Sequence, residues 1–377
     1  MLEQYVIKNG TLVSILDGTE QKKDILVENG IITKIASEIE APQAEEIDAS
    51  GKYISVGWLD AHTHFACLDD TGIDAERDLL MQGITYALDL GTQGPDNYTE
   101  SRTRLMYKTD LRYMSYLNIA AKGAGTGRGY MDFSGPQDID HDKVKKTVEK
   151  YRHELLGLKA RIDDKFCFDP AYTVRQLRAL GDELHMPIAV HAPRSRIGID
   201  NLLPYLKEGD VLCHTLAGNS DVMTVIDENG NVKKSVLDAR ARGVIFDLSH
   251  GSNAYSYATA EAAWNANFFV DTISSDLHGG NVNGPVFSLA VVLTKIRGLT
   301  GKPWSWLLNK AIAEPVRLQH IRGKAVDVRE GMTADLTVYK IEEGAFTYLD
   351  SKKESRTFAE KITPCYTCVG NHVYTCR

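Results

Sequence analysis

Eight short apolar runs separated by longer stretches of mixed polarity constrain this chain more than any other feature. They fall at 54–59, 86–90, 113–119, 155–162, 188–190, 211–213, 244–248 and 272–274. Apolar at consecutive positions, not alternate ones, such runs read as strands buried on both faces, as in a parallel sheet covered by helices. Between them, Val144, Val148, Tyr151 and Leu155, or Val174, Leu177 and Leu184, recur at helical spacing with charged residues on the other faces. Eight strands alternating with helices over about 270 residues predict an α/β fold, a (β/α)8 TIM barrel. A doubly wound sheet is the competing architecture, but no dinucleotide fingerprint supports it. Gly123, Gly125, Gly127 and Gly129 come nearest, and Arg128 and Tyr130 stand where the third glycine of such a motif would fall. The glycine-rich segment 122–135 follows the third strand and reads as a mobile loop over the barrel mouth.

The two ends of the chain have a different texture. Short β-rich runs at 5–7, 11–13, 24–27 and 31–35 are punctuated by Asn9-Gly10, Asp17-Gly18 and Asn29-Gly30, dipeptides that supply the positive φ of a hairpin turn. The pattern returns at 331–339 and at 369–374. The expected organisation is therefore a barrel over 56–324 and one small β-sandwich built from both ends, 1–55 and 325–377.

Composition narrows the function classes. With 377 residues, 43% of them hydrophobic, the chain can bury a large core. No apolar stretch approaches the roughly 20 residues of a membrane span, and the opening MLEQYVIKNG lacks a signal pattern, so a cytoplasmic location is expected. A net charge of −8 without a basic stripe argues against nucleic acid and for a small-molecule partner. Self-association is left open. The six cysteines do not form a disulfide framework. Cys365-x-x-Cys368 invites a metal or redox reading, but 365–374 alternates around Gly370-Asn371 like a terminal hairpin, and no second ligand pair lies at zinc-ribbon spacing.

Ligand-type residues cluster at the strand ends where barrel enzymes do their chemistry. His62 and His64 close the first strand, and residues two apart on a strand point the same way, so both imidazoles can reach one ion. Lys159 sits in the fourth strand, His191 ends the fifth, His214 the sixth and Asp276 the eighth. Independent packing choices would rarely bring four histidines and an aspartate to one mouth. Lys159 is costly there as an ammonium and cannot bind a cation. Either it pairs with a carboxylate such as Asp89, or CO2 carboxylates it to a carbamate able to bridge two metals.

With these residues in place, the chain resembles the amidohydrolase superfamily over nearly its full length. The segment Gly57-Trp58-Leu59-Asp60-Ala61-His62-Thr63-His64 is similar to that superfamily's first-strand signature, and Lys159, His191, His214 and Asp276 follow in its order. The resemblance implies two divalent metal ions, by default zinc. His62, His64 and Asp276 would hold one, His191 and His214 the other, with carboxylated Lys159 between them. It also implies hydrolysis by a metal-bridged hydroxide. Asp276 is then the catalytic acid and base that takes the proton of the attacking water and delivers it to the leaving group.

Within the superfamily, His64 is followed by Phe65-Ala66-Cys67. Cyclic-amide hydrolases of the dihydroorotase and hydantoinase type would place an arginine there, and adenine deaminases a glutamate. The nearer likeness is to the amidohydrolase/deacetylase, or dihydroorotase-like, group, carried by Gly157-Leu158-Lys159-Ala160-Arg161, the run 244–251 and Asn283-Gly284-Pro285-Val286. That group implies removal of an acyl group, typically acetyl, from an N-acyl amino acid or O-acyl hydroxy acid. A cyclic-amide hydrolase stands as the alternative, an adenine deaminase behind it, and a non-catalytic scaffold last because all six ligand positions are filled. A carboxylate-bearing substrate needs a cation; Arg128, Arg194 and Arg196 are candidates, and His250 and Asn283 are further candidate contacts.

Overall fold

In a computed structural model, residues 2–67, 72–104, 106–124 and 131–377 are described. The N-terminal strands are β1 (Gln4–Val13), β2 (Glu20–Glu28), β3 (Ile31–Ala36), β4 (Glu45–Asp48) and β5 (Tyr53–Val56). The barrel strands are β6 (Trp58–Thr63), β7 (Ile84–Leu90), β8 (Arg112–Asn118), β9 (Leu155–Arg161), β10 (Ile188–His191), β11 (Val211–Cys213) and β12 (Ile245–Phe246). The C-terminal strands are β13 (Asp335–Leu349), β14 (Ser355–Val369) and β15 (His372–Thr375).

Strands β6 to β12 pair in parallel, each with its neighbour in sequence, as one curled sheet of seven. The eighth apolar run closes the barrel by bridging instead of forming a full strand. Thr272 pairs with Asp247 beyond β12, and Leu277 pairs with Thr63 of β6. His64 N donates to Leu277 O at 2.9 Å and Leu248 N to Thr272 O at 3.0 Å, so both open edges are met. Helices cover the outside as their spacing predicts. Asp169 caps Pro170–Leu184 by accepting from Tyr172 N, and this helix buries Val174 and Leu177 against the sheet. Helix His141–Tyr151 buries Val144, Val148 and Tyr151, while Leu155, expected on the same helical face, opens β9 instead.

The ends assemble as expected from both termini. Eight strands form one mixed sheet in the order β15-β14-β13-β5-β1-β2-β3, with β4 on β1. It has its own apolar core of Tyr5, Ile7, Ile25, Val27, Ile54, Leu336 and Val338 among others. The first apolar run is not one strand. Residues 53–56 join the end sheet against β13 and β1, and 58–63 join the barrel. The division falls at Gly57, where a Cβ would lie 2.1 Å from Asp335 Oδ1 and 2.3 Å from Thr85 Oγ1, so only glycine lets the chain pass between the two sheets. Among the described residues no helix is long and apolar enough to cross a membrane.

Candidate metal centre

The C-terminal ends of the barrel strands bring His62, His64, His191, His214, Lys159 and Asp276 to one place. Asp276 is central: its Oδ1 lies 3.3 Å from His62 Nε2 and 3.0 Å from His64 Nε2, and its Oδ2 lies 3.8 Å from His214 Nε2. Ligand atoms of His62, His214 and Asp276 all fall within 4.8 Å of one another. The His191 and His214 rings meet edge to face with centroids 4.3 Å apart. The Nε2 atoms of both are buried without a hydrogen-bond partner among the described residues. Two orphaned imidazole nitrogens beside a carboxylate are costly unless something coordinates them. This donor set of nitrogens and a carboxylate fits a divalent metal.

The backbone is shaped to the same end. His214 and Asp276 have φ of 61° and 53°, and Ser249, whose carbonyl meets the His214 ring, has φ of 42°. Non-glycine residues adopt that region sparingly, and such departures gather at functional sites. Gly251 is required by contact as well as by its φ of +58°: a Cβ would sit 2.5 Å from Asp276 Oδ2. Asn281 Nδ2 donates to Asp276 O at 2.7 Å and holds that backbone in place.

Lys159 is almost fully buried, and its Nζ donates to Cys213 Sγ at 3.0 Å. Asp89, the carboxylate weighed as its partner, is engaged elsewhere, accepting from Ala66 N at 3.0 Å and from Thr92 N at 3.0 Å. Among the described residues no carboxylate forms an ion pair with Lys159.

Burial sets the protonation states. It pushes the imidazoles of His62 and His191 well below their ordinary range and that of His214 down to about 4, which keeps them neutral, the form that ligates. Burial lifts Asp60, two residues before His62, to about 7 although Ser275 donates to it from both side chain and backbone.

These groups open into a cavity of about 470 Å³, within the range of small-molecule sites. Asp276, His64, His191 and His214 line it on one side, and Arg161, Lys165, Phe166 and Arg194 on another. Arg161 was not singled out from sequence, yet it lies two residues after Lys159 on β9 and so points the same way. Asp132 holds its guanidinium through two nitrogens, Nε at 2.7 Å, over the face of Phe166 at 4.0 Å.

The expected substrate contacts divide. Arg194 lines the cavity, tied to Asp163 at 2.9 Å. Arg196 lies on the surface, donating to Phe168 O at 2.7 Å, and borders a separate shallow depression. Arg128 lies outside the described residues, as does 125–130 of the glycine-rich segment. Asn283 is exposed and does not line the cavity. His250 is fully buried with both nitrogens engaged, Nδ1 to Gly251 O at 3.0 Å and Nε2 to Lys295 Nζ at 2.9 Å.

Residues 328–375 match the deacetylase-like composite domain family. The chain is 27% identical to a deacetylase of Enterococcus faecalis, over 98% of each protein. It is 26% identical to a deacetylase of Agrobacterium fabrum, over 93% of this chain and 86% of that one. Among solved structures it is similar to a dihydroorotase, with a TM-score of 0.90 and 23% identity covering 99% of this chain and 98% of that one. An adenine deaminase follows, with a TM-score of 0.87 and 26% identity covering 98% and 99%. Fold and site together define a hydrolytic enzyme of the amidohydrolase superfamily. Within that superfamily its similarity in sequence is to deacetylases along nearly the full length and to the deacetylase-like family at residues 328–375.

Proposed function

We propose that the chain is a divalent-metal-dependent deacylase that removes an acyl group, typically acetyl, from an N-acyl amino acid or O-acyl hydroxy acid. The observation that carries this is the gathering of four histidines and a buried lysine around Asp276, beside a cavity with a cationic wall. His62, His64 and Asp276 would hold one ion, His191 and His214 the other, with Lys159 between them as its carbamate and zinc as the default metal. When bound, two such ions lower the pKa of the attacking water towards 7 and polarise the scissile carbonyl.

The chain's own groups do the rest. Asp276, at the centre of the histidine cluster, takes the water's proton and delivers it to the leaving nitrogen or oxygen. Its Oδ2 is the less engaged atom for this, since Oδ1 faces both His62 and His64. Arg161, held rigid by Asp132 and Phe166, offers its remaining N–H groups to the substrate carboxylate, with Arg194 and Lys165 adding positive potential. The cyclic-amide and adenine readings lose support at the residues after His64. Phe65 and Ala66 are buried in the barrel core and offer neither an arginine for a ring substrate nor a glutamate for a base.

A substrate panel tests the proposal. The purified chain loaded with zinc should release acetate from some N-acetyl or O-acetyl acids and leave dihydroorotate, hydantoins and adenine intact. Ring opening or deamination without acetate release would contradict it.

A further inference from the structure

We infer that Thr92 and Ser249 are positioning residues, each relaying a buried carboxylate to one of the two first-strand histidines and thereby fixing which ring nitrogen faces the site. Asp89 accepts at three points: from Thr92 N at 3.0 Å, Ala66 N at 3.0 Å and Thr92 Oγ1 at 2.8 Å. Two of these are backbone N–H groups that can only donate, so Asp89 is an acceptor and the single hydroxyl proton of Thr92 is committed to it. Thr92 Oγ1 lies 2.7 Å from His64 Nδ1 and is left to accept. His64 therefore carries its proton on Nδ1 and presents the lone pair of Nε2 to the site.

The same device recurs on the opposite side of the mouth. Asp247 gathers the hydroxyls of Ser249, Thr272 and Ser274, and His62 Nδ1 lies 2.9 Å from Ser249 Oγ. With its proton given to Asp247, Ser249 Oγ accepts from His62 Nδ1–H, so Nε2 of His62 is again the nitrogen that faces Asp276. Ser249 does more than its counterpart. Its carbonyl accepts from His214 Nδ1 at 2.7 Å, which explains why His214 Nε2 is the orphaned atom. One residue in a left-handed backbone conformation thus aims a ligand of each proposed ion: His62 through its side chain, His214 through its backbone. Thr92, Ser249, Asp89 and Asp247 are all buried, and Thr92 alone of the four borders the cavity. Histidine ligands are commonly oriented by a direct carboxylate or carbonyl partner. Here a hydroxyl stands between carboxylate and imidazole, a one-proton element whose direction the carboxylate dictates.

The inference rests on the ligand assignment proposed above, and two measurements separate them. Zinc content of the full-length protein is followed as a chelator of known affinity is added. Wild type should hold two ions per chain. Ser249→Ala removes the relay to His62 but keeps the carbonyl to His214, and Thr92→Val removes the relay to His64; each should give up one ion about 10–100-fold more readily while retaining the other. Thr92→Ser restores the hydroxyl and should behave as wild type, so the comparison of Thr92→Val with Thr92→Ser tests the relay by itself should Ser249→Ala fail to fold. Asp247→Asn replaces one of two acceptor oxygens by a donor and removes the charge that holds the Ser249 proton, and should weaken the same ion. Independently, ¹⁵N-histidine NMR of the zinc-loaded chain should show protons on Nδ1 of His62 and His64, and Ser249→Ala should alter only the His62 signal. Fewer than two ions in wild type overturns the ligand assignment. Two ions held equally well by all variants, or Nε2 protons on the two histidines, overturns the relay.

Discussion

Two segments of this chain carry closely spaced pairs of metal-binding side chains, and only one of them sits in a site. His62 and His64 lie two residues apart at the end of β6 and face the same way, towards Asp276. Cys365 and Cys368 lie three apart within β14, where an odd spacing sends side chains to opposite faces. Cys368 is fully buried in the end sheet beside Tyr5, whereas Cys365 is half-buried and bonds only weakly towards Thr363 O at 3.7 Å. The β-ladder running through this stretch to the turn at Gly370-Asn371 accounts for the spacing as hairpin packing. A ligand motif has meaning only relative to the period of the element that carries it. It also needs partners from other elements, which β9, β10 and β11 supply at the mouth.

The largest effect expected concerns Asp276. Asp276→Asn should cut turnover about 10²–10⁴-fold while metal content stays largely intact; near-normal turnover would remove Asp276 from its role as proton carrier. The cationic wall comes next. Arg161→Gln should raise KM for acids about 10–100-fold, the loss of a charged hydrogen bond, and should leave kcat much less affected. Equal effects on an uncharged acyl ester, measured in parallel, would show that Arg161 acts on folding instead of on the carboxylate. The cysteine pair sharpens the contrast from the other side. Cys365→Ser and Cys368→Ser together should leave metal content unchanged, while a hydroxyl at position 368 should cost about 1–3 kcal/mol of stability, read by denaturant unfolding. The smallest effect is a pH dependence in the end sheet. Asp24 is pushed up by burial, but the Lys8 ammonium at 2.6 Å and the N–H groups of Asn9 and Ile39 outweigh this and hold it below its usual value. Its contribution is therefore present above the unfolded carboxylate value near 4 and is lost as pH falls through the lower folded value. Asp24→Asn should lower stability by about 1 kcal/mol at pH 7 and by less at pH 3.

Much of this arrangement was legible in the sequence because two periods report it directly. Apolar runs with a polar end mark barrel strands, so His62, His64, His191, His214 and Asp276 could be placed at one mouth without coordinates. The split at Gly57 was not legible, since residues 54–59 read as one unbroken apolar strand and only the approach of Asp335 and Thr85 shows why a glycine must interrupt it. Arg161 could have been found from its position two residues after Lys159 on the same strand. Thr92 and Ser249 could not, because a hydroxyl's role depends on which imidazole and which carboxylate it meets across a loop. His250 follows a strand end as the ligands do, but it turns away from the cavity towards Lys295, a residue of helix Leu289–Thr300 that no local pattern connects to it.

The central claim is that the residues around Asp276, not the cysteine pair, hold two divalent ions. Anomalous diffraction at the zinc edge from crystals of the zinc-loaded protein tests it directly. The account predicts two peaks at the barrel mouth, one touching His62, His64 and Asp276 and the other His191 and His214, with added density on Lys159 Nζ between them. A single peak, none, or a peak at Cys365 and Cys368 would contradict it.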